Sequence, residues 1–395
     1  MNIRKTLIAL LILTMIMATT ACGSTVPETT PGNNPDYKVA MVTDSGDITD
    51  QSFNQITYTA MAEYCEENHI DYTYKKPDGD TDYARIAMVD VAVAEGYNII
   101  ILPGYTFAAT LVEVTYKYPD IKFIALDMTA GDIIAAAVGG IYYSNPDAYT
   151  ASDYYNTGNT YCAVYREEVP GYMAGYTAVR LGYRKLGYLG GQSVPAVMRF
   201  GYGYLQGIDA AAKDLGVTDE IEVQYAYGGQ FYGSTEITAV MDTWFTRGTE
   251  IVFACGGGIF TSAAEAAAKV NGKIIGVDSD QSGIIDAYGE GMTVTSAMKG
   301  LGATVKAMLN SIIFDNTCNE HVGKIENLGL VSGTDMSVNY VGLPEETTLW
   351  NDDFTVDDYH ELVNKIYTGE NTVDSSIDKV PDVSVKVNMR EGTIM

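Results

Sequence analysis

The chain has 395 residues, 47% of them hydrophobic and 19% charged, which is enough apolar material for the cores of two domains. With 51 Asp and Glu against 24 Lys and Arg the net charge is −27. A surface that acidic repels nucleic acid and anionic lipid headgroups and disfavours an anionic ligand.

In chain order, Arg4 and Lys5 precede an apolar run from Leu7 to Ala18, followed by Thr19-Thr20-Ala21 and Cys22. This predicts a signal peptide over residues 1–22. A Cys placed just after small residues predicts lipidation at Cys22, although Thr19 stands where such sites usually carry Leu. The alternative is a plain secretory signal cleaved nearby. Residues 23–36, rich in Pro, Gly, Thr and Asn, read as a flexible linker. No later stretch reaches the roughly 18 apolar residues of a membrane span. The expectation is a soluble body held by lipid on the extracytoplasmic face of the cell membrane.

From Tyr37 onward short apolar runs alternate with segments of helical period. YKVAMV (37–42), IDYTY (70–74), NIIIL (98–102) and IKFIAL (121–126) form a first set; Ile56, Ala60 and Tyr64 share one helical face between them. LGYLG (186–190), IEVQY (221–225), EIVFA (250–254) and KIIGV (273–277) form a second set. TSAMKGLGATVKAMLNSIIF reads as one helix, another is expected near Val356 to Tyr367, and a polar tail closes the chain. Apolar runs this short, separated by helices, predict parallel sheets built from βαβ units. The fold class is therefore α/β, with two Rossmann-like lobes joined by a hinge. Lobe 1 is assigned to 37–160 plus about 296–345, and lobe 2 to 161–295 plus about 346–395.

Ligands of open parallel sheets bind beyond the carboxyl ends of the strands. The residues at those ends are Asp44 and Ser52-Phe53-Asn54, Pro103-Gly104-Tyr105 and Asp127 in the first set. In the second they are Gly190-Gly191-Gln192, Gly228-Gly229-Gln230-Phe231, Gly256-Gly257-Gly258 and Asp278. Asp50 is placed to cap the first helix, whereas Asp44 lies too far upstream and reads as functional. Phe53 and Phe231 are core residues or rings offered to a cleft; their polar and glycine-rich flanks favour the cleft. The glycine run near Gly256 lacks the Lys and Ser/Thr of a phosphate loop. No GxSxG, GxxxxGK[ST] or HExxH is present. Cys65, Cys162, Cys255 and Cys318 show no CxxC spacing, and His69, His321 and His360 are far apart, so no metal site is supported. Buried free thiols are expected, with a single disulfide as the alternative.

DSGDITDQSFNQ resembles the opening motif of the basic membrane protein family of bacterial lipoproteins, whose best-understood members are purine nucleoside receptors for ABC transporters. YREEVPGYMAGYTAVRLG, FGYGYLQGIDAAAKDLG, the GGQF loop and IIGVDSDQS followed by VTSAMK keep the family's order, and together span most of residues 37–345. The resemblance implies a type I periplasmic-binding-protein fold. It makes Phe53 and Phe231 the two base-stacking rings, with Asn54 beside the first. Polar contacts to base and ribose fall on Asp44, Asp127, Asp278 and Lys299, and Gly256 and Gly257 line the sugar. Lys299 has a plainer alternative, opening a helix and neutralising Asp278, which it is expected to meet across the hinge. The implied partners are a nucleoside and an ABC permease, with no cofactor, no nucleic acid, no catalysis, and membrane contact through the lipid alone. A sugar or other small molecule on the same fold, or a surface adhesin, is the rival; a repressor of this fold would carry DNA-binding helices where the signal peptide stands. Between Asp127 and Tyr161 the chain is longer than the family needs, and the tyrosine-rich insert 135–161 is expected to form a surface hairpin rather than a lid or a transporter contact.

Overall fold

The computed structural model describes residues 36–44 and 46–395, so the signal peptide, Cys22 and all but the end of the linker lie outside the described residues. The first half runs β1 (Lys38–Val42), α1 (Phe53–Glu67), β2 (Asp71–Lys75), α2 (Asp82–Ala94), β3 (Ile99–Pro103), α3 (Ala108–Lys117), β4 (Lys122–Leu126), α4 (Ala130–Val138) and β5 (Thr160–Tyr165). Then come α5 (Glu168–Arg180), β6 (Lys185–Gly190), α6 (Pro195–Leu215), β7 (Glu222–Tyr227), α7 (Thr235–Thr246), β8 (Ile251–Cys255), α8 (Phe260–Ala268) and β9 (Lys273–Asp278). The chain finishes with α9 (Ser282–Ile285), β10 (Thr293–Lys299), α10 (Leu301–Asn310), β11 (Ile325–Leu328), β12 (Val341–Gly342), α11 (Val356–Tyr367) and β13 (Lys386–Thr393).

Two sheets result, one in the order β11-β5-β4-β3-β1-β2 and one in the order β12-β10-β9-β8-β6-β7-β13. The central strands are apolar on both faces because helices cover both. In β1 and β3, Ala40, Val42, Ile100 and Leu102 enter one core, while Val39, Met41, Ile99 and Ile101 enter the other. Several helices start where the sequence supplies a cap. Thr129 accepts from the Asp132 N–H while its own N–H donates to the Asp132 carboxylate, and Thr355 and Asp358 do the same for α11.

Four expectations change. β5 pairs with β4, Phe123 opposite Thr160, so the first crossing between lobes falls after Tyr165 rather than at 160. Thr293–Lys299 pairs with β9 and is a strand of the second sheet, not the start of a helix; the return falls after Lys299, and β11 and β12 mark a third crossing. The β-branched Val294 and Thr295 and the pairing with β9 outweigh the helical reading of TSAMK. The polar tail is not loose: β13 adds in parallel to the open edge of β7. The insert is a succession of short helical turns, at Gly139–Ser144, Pro146–Ala148 and Ala151–Asp153, with no hairpin. It is tied down by Tyr155, which is buried and donates to the Gly323 carbonyl at 3.1 Å.

In the second lobe α5 and α6 touch backbone to backbone. A Cβ added at Gly171 or Gly175 would fall 2.2 Å from the Phe200 or Tyr204 carbonyl oxygen. One added at Gly203 or Gly207 would fall 2.1 or 2.0 Å from the Glu168 or Tyr172 carbonyl. Four glycines thus set the distance between α5 and α6, and the first turn of α6 borders the cavity. Cys65, Cys162, Cys255 and Cys318 are free and buried. Burial pushes the Cys65 and Cys162 thiols up to about 12. Among the described residues no helix is long and apolar enough to cross a membrane.

Candidate functional site

The carboxyl ends of the strands of both sheets meet at one cavity of about 700 Å³. Asp44, Phe53, Asn54, Asp127, Phe231, Gly256, Gly257, Asp278 and Lys299, singled out from the sequence, all line it. β4 and β9 hold the same place in their sheets, and each delivers an aspartate in the left-handed region, Asp127 at φ 53° and Asp278 at φ 66°. Asp tolerates that conformation better than most residues because its short polar side chain bonds locally.

At one end of the cavity the loop after β1 is organised by carboxylates. Asp50 accepts from the Ser52, Asn54 and Gln55 N–H groups at 3.0, 2.9 and 3.0 Å, and so caps α1 as expected. The Asn54 amide donates to Asp44 Oδ1 at 3.0 Å and to Asp50 Oδ2 at 2.8 Å. Both partners only accept, so the amide orientation is fixed and Asn54 Oδ1 is left as a buried acceptor without a partner among the described residues. Asp44 Oδ1 also accepts from the Gly46 N–H at 2.6 Å. Burial raises the Asp44 carboxyl, and the bonds from Gly46 and Asn54 oppose that rise.

The cavity floor is a buried charge network. The Lys299 ammonium, 3% exposed, donates to Asp127 Oδ2 and stands 3.5 Å from Asp278 Oδ1 and 3.8 Å from Glu167 Oε1. Burial disfavours its charge, but the three carboxylates outweigh that and hold it above the ordinary lysine range. Burial pushes Asp127 up to about 6 despite the lysine, with Glu167 adding repulsion. Its Oδ1 has no partner among the described residues. Arg199 Nε meets Glu167 Oε2 at 2.6 Å. The plainer reading of Lys299, a counter-ion, is thus present in extended form, with three carboxylates rather than Asp278 alone.

The hinge expectation is corrected here. Asp278 and Lys299 lie on adjacent strands of one sheet, where Met298 pairs with Asp278. The bond that joins the lobes is Lys299 to Asp127. Others beside it are Ser52 Oγ donating to Asp278 Oδ2 at 2.7 Å, Gln281 Nε2 donating to the Gln51 carbonyl at 3.1 Å, and Tyr105 OH donating to Gln192 Oε1 at 3.3 Å.

Phe53 opens α1 from the first lobe and Phe231 follows β7 in the second; both are half-buried and border the cavity. The two rings do not pair with one another, and Lys299 sits 4.9 Å from the Phe53 ring centroid. Phe231 rests on glycine: a Cβ at Gly191 would fall 2.5 Å from its ring and one at Gly256 3.0 Å. Gly256 and Gly257 have φ 146° and 51°, so the glycine run serves the ring's bed and the strand-end turn together.

Glu167, Arg199 and Phe200 were not singled out from the sequence, and neither were Tyr105 and Gln192 as partners. Glu167 lies in the YREEV segment directly after β5, and its signal is the pair of acids at a lobe crossing. Arg199 reaches it from α6, which periodicity alone does not reveal.

A family model described as "ABC transporter substrate-binding protein PnrA-like", Bmp, matches residues 37–376. The chain is 23% identical over 289 residues to "ABC transporter nucleoside-binding protein BmpA" of Lactococcus lactis, covering 69% of this chain and 73% of that one. It is 26% identical over 301 residues to "Basic membrane protein A1" of Borrelia garinii, covering 75% and 78%. Among solved structures it resembles an ABC transporter system solute-binding protein of Conexibacter woesei, with TM-score 0.63 and 19% identity over 86% of this chain and 99% of that one. It also resembles solute-binding proteins of Aeropyrum pernix, with TM-score 0.60 and 21% identity over 84% and 86%. At such identities the structural likeness establishes the fold, the type I periplasmic-binding architecture.

Proposed function

This chain belongs to the Bmp family of PnrA-like ABC transporter substrate-binding proteins, and from that premise we propose that it captures nucleosides, purines foremost, and hands them to the permease of an ABC importer. The observation that carries this reading is the pairing of two phenylalanines, one from each lobe, with an acceptor-rich wall around a single cavity. A planar base fits between aromatic faces, where stacking contributes about 1–3 kcal/mol per base. Carboxylates and the Asn54 carbonyl oxygen accept from ring N–H, amino and hydroxyl groups, at about 1.5–3 kcal/mol for each bond to a charged group. Those terms offset lobe closure and leave about −8 kcal/mol, a micromolar ligand. The name of the Lactococcus lactis relative agrees with this class of ligand. Ligand enters between the lobes, the crossings between them flex, and no bond is made or broken. Cys22 carries the lipid that holds the protein at the extracytoplasmic face of the cell membrane.

The test uses charge. Asp44, Asp50, Asp80, Asp127, Asp132 and Asp278 border the cavity, against Lys299 and Arg199 as cations. Inosine and guanosine are expected to bind at least about a hundredfold more tightly than their 5′-monophosphates in calorimetry, roughly 3 kcal/mol of repulsion and desolvation. Equal affinities would remove the nucleoside assignment. Tighter binding of a hexose than of any nucleoside would replace it with the sugar reading.

A further inference from the structure

Beyond the residues that the family model matches, β13 does more than cover an edge. Its ladder with β7 runs from Lys386 opposite Glu222 to Met389 opposite Tyr225, then breaks, and resumes with Thr393 opposite Tyr227. The extra residues are accommodated at Gly392, φ 68°. Past the break the Ile394 N–H donates to the Tyr227 carbonyl at 2.9 Å and the Met395 N–H to the Gly228 carbonyl at 3.1 Å. Thr393 lies against Gly229, where an added Cβ would fall 3.2 Å from its own Cβ. On their other side Gly228 and Gly229 donate to the Gly190 and Gly191 carbonyls at 2.7 and 3.0 Å. At the far end of the same loop Ser234 Oγ donates to Met395 Sδ at 3.3 Å. The segment Thr393–Met395 therefore touches Gly228 and Gly229 at one end of a loop and Ser234 at the other, and the loop between them carries Phe231.

We propose that Thr393–Met395 is a positioning element for Phe231, fixing the ring at the cavity wall and thereby setting affinity for aromatic ligands. The ladder from Lys386 to Met389 covers β7 as far as Tyr225 and Thr393 completes it at Tyr227, but the bonds of Met395 to the Gly228 carbonyl and to Ser234 lie past the end of β7, where no strand edge remains to cover. The bulge and the three residues after it instead re-aim the strand onto the loop. The affinity part of the proposal rests on the nucleoside reading above; the positioning part does not.

Two variants leave the Lys386–Met389 ladder in place: removal of Thr393–Met395, and Ile394→Pro, which deletes the N–H given to Tyr227. Each is measured by inosine calorimetry in the native background and in Phe231→Ala, and by hydrogen exchange of the amides from Gly229 to Gly233 without ligand. Inosine binding is expected to weaken about tenfold in the native background and to change little when Phe231 is already Ala, the non-additivity of groups acting through one ring. Loop amides are expected to exchange faster while melting stays within a few degrees. Equal losses in both backgrounds, or unchanged loop exchange, would overturn the proposal and leave β13 an edge cover. If the intact chain binds no inosine or guanosine, the nucleoside reading fails separately, and the exchange result alone decides positioning.

Discussion

Asp127 shows how a single residue ties ligand chemistry to stability. Burial pushes its carboxyl up to about 6 in the folded protein, against about 3.9 in an unfolded chain. The folded state therefore holds the extra proton between those values, and the contribution of this group to stability falls as pH rises from about 4 to about 6. Two units correspond to about 2–3 kcal/mol. Urea titrations at pH 4, 5, 6 and 7 should give native protein a loss of that order relative to Asp127→Asn, in which no carboxyl at this position titrates; parallel curves would refute the raised Asp127 carboxyl. Phe53 is tied to the same floor by the ammonium 4.9 Å from its ring. Phe53→Ala is expected to weaken inosine at least about tenfold through lost stacking, with circular dichroism unchanged. An affinity equal to that of the native protein would take this ring out of the site.

At the scale of elements, the α5–α6 contact is the most demanding feature of the second lobe. Gly203→Ala would drive a methyl to 2.1 Å from the Glu168 carbonyl oxygen, and the helices must separate. The expected cost is about 3 kcal/mol in urea unfolding, against near neutrality for Gly79→Ala, where an added Cβ meets nothing. The same separation would draw Arg199 from Glu167, so ligand affinity should fall as well. The strand ends were legible in the sequence because a parallel sheet concentrates function there: Asp44, Asp127, Asp278 and Phe231 follow from that rule and the family motif. β5 escaped because a tyrosine-rich stretch precedes it, and its place depends on pairing with Lys122–Leu126 and Ile325–Leu328 rather than on local pattern. The helical composition of TSAMK places Lys299 at a helix start, whereas sheet pairing decides its state. The Glu167–Arg199 pair was invisible for a related reason: its members meet only once four glycines bring two helices together.

At the scale of the whole molecule, the lobes are joined by a buried ion pair on the floor and by lighter bonds such as Tyr105 to Gln192 at the cavity. Tyr105→Phe removes only the lighter bond, and stopped-flow release of inosine is expected to quicken several-fold with little change in association; an unchanged release rate would mean that this bond does not hold the closed form. The four buried thiols turn the same architecture into a set of clocks. Cys162 lies on β5, between β11 and β4 of the first sheet, and Cys255 at the cavity end of β8 in the second. A thiol reagent attacks the thiolate of an accessible cysteine, so each should react only after its own lobe opens. Trapping each in a chain whose other cysteines are Ser would time the two openings separately. Saturating inosine should slow the Cys255 clock, and any difference between the two rates would reveal which lobe lets go first.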